Sequence, residues 1–189
     1  HKIVPMLLSP LEADNYHDQI YDMKSFITAF KDAGFKTFFL SNQGRNGAVI
    51  DGFSREADSV LYLRDTNPYA LDGDLLPPLK EALGDKATKK LIVMHTYGSH
   101  YSYFDRYPNW CHTFGKDTPS QLMLTNREGL IDNYDNSVLY TSYIIDQAIK
   151  AVGQDSISAA LFYAGDHGED LFDDESSRTL HASPSPTIR

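Results

Sequence analysis

The chain has 189 residues, 41% of them hydrophobic, which is enough to build the packed core of one sizeable domain. Its net charge of −9 argues against nucleic acid as the main partner, because phosphate backbones bind basic surfaces. The single cysteine, Cys111, excludes an internal disulfide, and no apolar stretch approaches the roughly 20 residues that span a bilayer. We therefore treat residues 1–189 as a single domain.

Segments typical of strands and helices alternate along the chain. Short apolar runs predict four buried strands, at 35–40, 60–63, 91–94 and 158–164. Apolar residues at helical spacing, followed by glycine, predict three helices, at 19–33, 68–83 and 127–152. This alternation predicts the α/β class, as a three-layer α/β/α sandwich with a mainly parallel sheet.

The sequence makes one further prediction for each of two helices. Pro77 and Pro78 must break or restart the second one, because proline removes a backbone donor from a helix. The third and longest is expected to bury one apolar face, formed by Ile131, Tyr134, Val138, Ile145, Ala148 and Val152.

Polar side chains follow the last two predicted strands at the point where each strand ends. His95 and His100 follow the third strand, and Asp166 and His167 follow the fourth. Open α/β sheets place their sites at the carboxyl ends of parallel strands, so we expect these residues to share one active edge. The segment 101–126 is rich in tyrosine, proline, asparagine and threonine, and we expect it to form a long functional loop over that edge.

The pair Asp166 and His167 predicts a metal site. A carboxylate and an imidazole are costly to bury unless something binds them, and both are zinc ligands. His181 lies close enough in sequence to loop back over the same site.

Each of these residues also has a simpler interpretation. The Asp166–His167 pair fits a turn cap, and His95 fits a core imidazole with satisfied hydrogen bonds. Glu169 either supports a ligand or caps the next helix. The acidic residues beyond it are expected to form a solvated face, at Asp170, Asp173, Asp174 and Glu175.

Several motifs, in order along the chain, resemble those of bacterial phosphoethanolamine transferases, a family of the alkaline phosphatase and sulfatase superfamily. These motifs cover nearly the whole chain, at Val4–Ser9, His95–His100, Tyr103–Pro108, Tyr134–Tyr140, Gly165–Glu169 and Leu180-His181. The resemblance implies a sulfatase-like fold. It also implies an inner-membrane protein with a zinc domain in the periplasm. That domain would transfer phosphoethanolamine from phosphatidylethanolamine to lipid A or a related envelope glycan.

The resemblance further implies roles for individual residues. Asp166 and His167 would be zinc ligands, while His100 and His181 would bind the phosphoryl group or a second metal. Apart from the resemblance, the positions of His95 and Glu169 make them candidates to support these ligands. A threonine nucleophile activated by zinc would form a covalent phospho-threonine intermediate, which the acceptor then resolves.

The chain also departs from the family pattern. The resemblance places the nucleophilic threonine immediately before His1, a glutamate ligand further upstream and the final strands beyond Arg189. We therefore expect a piece truncated at both ends, with an incomplete zinc site and no activity of its own. Two alternatives stay open: a sulfatase or phosphoglycerol transferase of the same superfamily, and a non-enzymatic module that metal stabilises.

Overall fold

The computed structural model describes residues 2–45, 49–115, 126–154 and 158–172. These residues fall into two compact units, His1–Thr96 and Tyr97–Arg189. The assignment of the whole chain to a single domain remains a prediction. Within the described ranges, no helix combines the length and apolar character needed to cross a bilayer.

The first unit contains three strands and five α-helices among its described residues. The strands are β1 (Lys36–Ser41), β2 (Ser59–Tyr62) and β3 (Lys90–His95). The helices are α1 (Ile3–Leu8), α2 (Tyr16–Gln19), α3 (Phe26–Asp32), α4 (Val49–Ser54) and α5 (Leu76–Leu83). Short 3-10 helices at Leu63–Asp65 and Asp72–Leu75 lie between β2 and α5.

The three strands form a parallel sheet in the order β2-β1-β3. Phe39 on the central strand lies opposite Val60 on one side and Val93 on the other. Parallel neighbours require crossover connections, and α4 and α5 lie in those connections. The first three predicted strands and the α/β class are therefore confirmed.

Helices cover both faces of this sheet because the side chains of β1 alternate between them. Phe39 is completely buried and packs in one core with Ile27 of α3 and Phe53 of α4. Phe38 and Leu40 point the other way and, with Ala82 of α5, line a groove on the opposite face. The predicted layering of helix, sheet and helix is thus present within this unit.

The predicted helix at 19–33 is interrupted, and only its last part, α3, is a regular helix against the sheet. Ser25 caps α3 by accepting a hydrogen bond from the Ile27 backbone amide at 3.2 Å. The Glu56 carboxylate accepts from the hydroxyls of Ser25 and Thr28, at 2.6 Å each, and so fixes this helix start. Gly34, with a φ of 81°, follows the helix as predicted.

Pro77 and Pro78 occupy the first turn of α5 rather than the middle of a longer helix. The first turn of a helix has unpaired backbone amides in any case, so proline costs no hydrogen bond there. The prolines therefore set the start of this helix, which confirms the restart that the sequence predicted.

Among its described residues, the second unit contains one long helix, α6 (Arg127–Val152), and two 3-10 helices, Tyr103–Arg106 and Asn109–Cys111. The range of α6 agrees with the prediction, but its predicted apolar face is only partly correct: Ile131 and Tyr134 pack against a buried core. Val138 is exposed, and Ala148 is the one residue of that face that is buried. The buried face includes the polar residues Asn133 and Ser137, which a pattern of apolar residues at helical spacing does not reveal.

The fourth predicted strand does not form. Residues 158–164 pair with no strand among the described residues, and their side chains are exposed, with Phe162 at 90%. An apolar run becomes a strand only when a neighbouring strand takes up its backbone hydrogen bonds. This segment is therefore an exposed stretch without regular secondary structure that leads to Asp166 and His167.

Candidate functional site

Asp166 and His167 place two possible metal ligands next to each other. The His167 backbone amide donates to Asp166 Oδ1 at 3.1 Å, which leaves Oδ2 3.7 Å from His167 Nε2. Both side chains are partly exposed, at 46% for Asp166 and 38% for His167. One carboxylate oxygen of Asp166 therefore binds the neighbouring backbone amide, and the other lies toward the imidazole.

The hydrogen bond of His167 Nδ1 determines which nitrogen can bind a metal. Nδ1 lies 2.9 Å from the Gly168 carbonyl oxygen. A carbonyl oxygen can only accept, so Nδ1 carries the proton and Nε2 carries the lone pair of the neutral ring. Metal-binding histidines typically donate their other N–H to a carbonyl in this way.

The spacing of these two atoms suits a shared zinc ion. Two ligand atoms on a tetrahedral zinc lie about 3.4 Å apart, close to the 3.7 Å between Asp166 Oδ2 and His167 Nε2. A catalytic zinc usually has three protein ligands. Within the described part of the chain, no group of three or more candidate ligands comes together. The pair therefore fits as one part of a ligand set.

His100 is held by the same type of hydrogen bond. Its Nδ1 lies 2.8 Å from the Tyr101 carbonyl oxygen, so this ring also presents Nε2 as the unprotonated nitrogen when neutral. His100 is exposed, and its ring meets that of Tyr97 edge-on at 5.3 Å. Arg106 donates through Nε to the His100 carbonyl oxygen at 2.8 Å.

Two acidic residues directly after the Asp166–His167 pair are buried. Glu169 is 3% exposed and Asp170 is fully buried, so the prediction that Asp170 belongs to a solvated face is wrong. This burial was not predictable from the sequence, because a run of acidic residues is most often solvated. Glu169 lies beside the buried phenol of Tyr103. Burial and, to a smaller extent, the Glu169 carboxylate raise the pKa of Tyr103 well above its usual range.

A small apolar core holds these residues in place. Tyr103, Leu130 and Leu171 are completely buried in it, and Tyr101 and Tyr134 pack against them. The rings of Tyr103 and Tyr134 meet edge-on at 5.1 Å. This core packs the segment after His100 against α6 and against the segment after His167.

Two asparagines on α6 hold the segment that precedes this helix. The sequence alone did not predict this role. Asn136 Oδ1 accepts from the backbone amides of Thr113 and Phe114, at 2.7 and 2.9 Å, and its Nδ2 donates to the Phe114 carbonyl at 2.9 Å. Asn133 Oδ1 accepts from the Tyr107 hydroxyl at 2.5 Å. Two asparagines one helical turn apart inside a long helix, where asparagine is unfavourable, were the available signal.

His95 lies in the first unit, at the end of β3. It pairs with Ser41 across the sheet, its Nδ1 lies 3.1 Å from the Ser41 hydroxyl, and its ring is 5.8 Å from that of Phe39. These contacts place the His95 ring against the sheet, and both the interpretation as a core imidazole and a supporting role in the site remain predictions. His100, Asp166, His167 and Glu169 belong to the second unit, and His181 lies outside the described residues.

Comparison with known proteins gives consistent matches. The profile of the sulfatase family matches residues 1–187. Phosphoethanolamine transferase EptC of Escherichia coli (strain K12) is 34% identical over 164 residues, 82% of this chain and 28% of that protein. Phosphoethanolamine transferase EptA of the same strain is 29% identical over 191 residues, 96% of this chain and 34% of that protein. The chain thus spans about a third of the length of these curated relatives.

A solved structure extends the match to the fold. The C-terminal periplasmic domain of EptC from Escherichia coli, in complex with Zn, superposes with a TM-score of 0.82 at 28% identity. The match covers 95% of this chain and 52% of that one. With the family profile matched from residue 1 to residue 187, the chain belongs to the sulfatase family and has a sulfatase-like fold similar to that of phosphoethanolamine transferases.

Proposed function

We propose that this chain is part of the catalytic domain of a zinc-dependent phosphoethanolamine transferase. The observation that carries the proposal is its similarity to EptC and EptA over 82% and 96% of its length. The proposed donor is phosphatidylethanolamine, and the proposed acceptor is lipid A or a related envelope glycan.

Asp166 and His167 are the proposed zinc ligands. Their support is the donor set itself, a carboxylate oxygen and an imidazole nitrogen 3.7 Å apart with the tautomer fixed by Gly168. When bound, zinc would polarise the phosphoryl oxygens and activate the attacking hydroxyl. The remaining ligands would come from residues other than those described.

His100 and His181 are proposed to bind the phosphoryl group. For His100, the hydrogen bond from Nδ1 to Tyr101 limits what the ring can do. Neutral His100 can only accept a hydrogen bond or bind a metal through Nε2, and it donates to a phosphoryl oxygen through Nε2 only after gaining a proton. We propose the protonated form as the one that binds the phosphoryl group, because it adds a positive charge where negative charge develops.

The proposed location follows from the relatives. One matched structure is described as a periplasmic domain and another as an integral membrane protein. We propose that the protein lies in the inner membrane with this domain in the periplasm, where the lipid donor is accessible. The chain has a net charge of −9 and therefore little positive charge with which to bind a phosphate group. A bound zinc ion would supply that charge.

The proposal is tested with the full-length protein in membranes. A fluorescent phosphatidylethanolamine is the donor, and mass spectrometry detects phosphoethanolamine on lipid A. We expect transfer that a zinc chelator abolishes and added zinc restores. Hydrolysis of an aryl sulfate without transfer from phosphatidylethanolamine would contradict the proposal and assign the protein to the sulfatase branch instead.

A further inference from the structure

Arg106 makes three contacts with the loop that carries His100. Its Nε donates to the His100 carbonyl oxygen at 2.8 Å, and its Nη2 lies 3.5 Å from the Tyr101 carbonyl oxygen. Its guanidinium carbon lies 4.1 Å from the centre of the Tyr97 ring. The 3-10 helix Tyr103–Arg106 places this side chain back over the preceding loop.

The imidazole of His100 contacts the same two neighbours. Its Nδ1 donates to the Tyr101 carbonyl oxygen at 2.8 Å, and its ring meets Tyr97 edge-on at 5.3 Å. Arg106 and His100 therefore share one carbonyl oxygen and one aromatic ring.

His100 depends on such contacts because it is exposed. A buried ring is fixed by close packing on all sides, whereas an exposed ring samples several rotamers unless specific contacts hold it. A planar guanidinium can stack on Tyr97 and donate to two carbonyls at once. A lysine ammonium has neither the plane nor the fork, so Arg-to-Lys replacement is not conservative here.

We propose that Arg106 is a positioning residue for His100, which acts by holding the Tyr97–Tyr101 loop so that Nε2 of His100 faces the phosphoryl group. The inference deepens the proposed function and rests on it, because it assumes that His100 binds the phosphoryl group. It assigns Arg106 to the loop rather than to the substrate.

A double-mutant cycle in the full-length protein tests this assignment. We expect Arg106→Lys to lower kcat about 10- to 100-fold with little change in KM, as a small misplacement of a catalytic group does. Arg106→Lys should cost nothing further in a His100→Ala background, because both changes remove the same interaction. Independent, additive losses, or a rise in KM alone, would contradict the inference and indicate direct contact of Arg106 with substrate.

A matched control measures the general effect of replacing an arginine that donates a hydrogen bond to the backbone. Arg55 also donates through Nε to a backbone carbonyl, that of Asp51 at 2.9 Å, on α4 of the first unit. Arg55→Lys should leave kcat unchanged. A loss of kcat in Arg55→Lys equal to that in Arg106→Lys would contradict a specific role for Arg106.

A spectroscopic measurement separates this inference from the proposed function. Nitrogen-15 spectra of the histidine rings in the full-length protein report which nitrogen carries the proton, and His100→Ala assigns the signal. We expect the Nδ1–H form in the wild type and a mixture of both tautomers in Arg106→Lys. An unchanged tautomer in Arg106→Lys, in a protein whose wild type is active, contradicts the inference alone, whereas a wild type without transfer activity contradicts the proposed function and with it the inference that rests on it.

Discussion

The phenol of Tyr103 lies beside the carboxylate of Glu169 in the interior of the second unit. Tyr103 follows His100 closely in sequence, and Glu169 follows His167 closely. The contact therefore ties together the two segments that carry the candidate phosphoryl-binding and metal-binding residues. It gives Glu169 a structural setting for the supporting role that the sequence suggested.

Removal of the Tyr103 hydroxyl should destabilise the protein. Tyr103→Phe keeps the ring packing but takes a polar neighbour away from a buried carboxylate, at an expected cost of about 1 kcal/mol in the free energy of unfolding. Urea denaturation measures this cost. Tyr69→Phe is the control, because Tyr69 is 89% exposed and its change should stay within about 0.5 kcal/mol. Equal stabilities of Tyr103→Phe and Tyr69→Phe would show that the contact with Glu169 is not stabilising.

Replacement of Asn136 should loosen the loop at Thr113 and Phe114. Asn136→Ala removes three hydrogen bonds to buried or half-buried backbone groups. At about 1 kcal/mol each, we expect a loss of roughly 3 kcal/mol in unfolding free energy. Ser142→Ala on the exposed side of the same helix is the control and should change stability by less than about 0.5 kcal/mol. Hydrogen exchange at the amides of Thr113 and Phe114 that does not accelerate in Asn136→Ala would count against this anchoring role.

Asp58 should make stability depend on pH in the acid range. Lys31 and, next, the Thr37 backbone amide lower the pKa of Asp58 to about 2. A lowered pKa in the folded state gives stability that is present above the unfolded value near 4 and lost as the pH falls toward 2. Lys31 is half exposed, so we expect about 1–2 kcal/mol after screening by solvent.

The measurement compares Asp58→Asn with the wild type by denaturation at several pH values. The variant should be less stable at pH 7, and the difference should narrow between about pH 4 and pH 2. Asp146→Asn is the control, because Asp146 and its partner Lys150 form a surface pair in which both side chains are more than half exposed. A stability gap between Asp58→Asn and the wild type that stays constant down to pH 2 would contradict the ion-pair explanation.

Replacement of His100 should lower the turnover rate without changing the zinc content of the protein. His100→Ala removes a group proposed to meet the phosphoryl oxygens, and loss of one such preorganised donor typically lowers the rate about 10²- to 10³-fold. Zinc content, measured by elemental analysis of the purified protein, should stay at the wild-type level. Loss of zinc together with activity would instead make His100 a metal ligand.

The sequence predicted the sheet of the first unit because short apolar runs that alternate with helices have few other structures available. β1, β2 and β3 each lie within a residue of the predicted ranges. The run at 158–164 is also apolar, but a strand also needs a pairing partner, and an apolar run does not specify one. Local pattern therefore predicted the three strands that find a partner in the sheet and failed for the run that finds none among the described residues.

The sequence predicted the candidate site only in part, for a similar reason. Asp166 and His167 are adjacent in sequence, so their proximity required no knowledge of the fold. The burial of Asp170 and the role of Asn136 depend on which distant loop or helix packs against them. Such polar contacts produce no periodic pattern in the sequence, because each one depends on a single partner elsewhere in the fold.

The most direct test of the account is the zinc content and transfer activity of Asp166→Ala in the full-length protein. Asp166 is proposed to bind zinc, so the variant should lose bound zinc and phosphoethanolamine transfer together, while Asp146→Ala, a change at an exposed carboxylate of α6, should keep both. Elemental analysis measures the metal, and mass spectrometry of lipid A measures the transfer. Wild-type levels of zinc and transfer in Asp166→Ala would contradict the central claim.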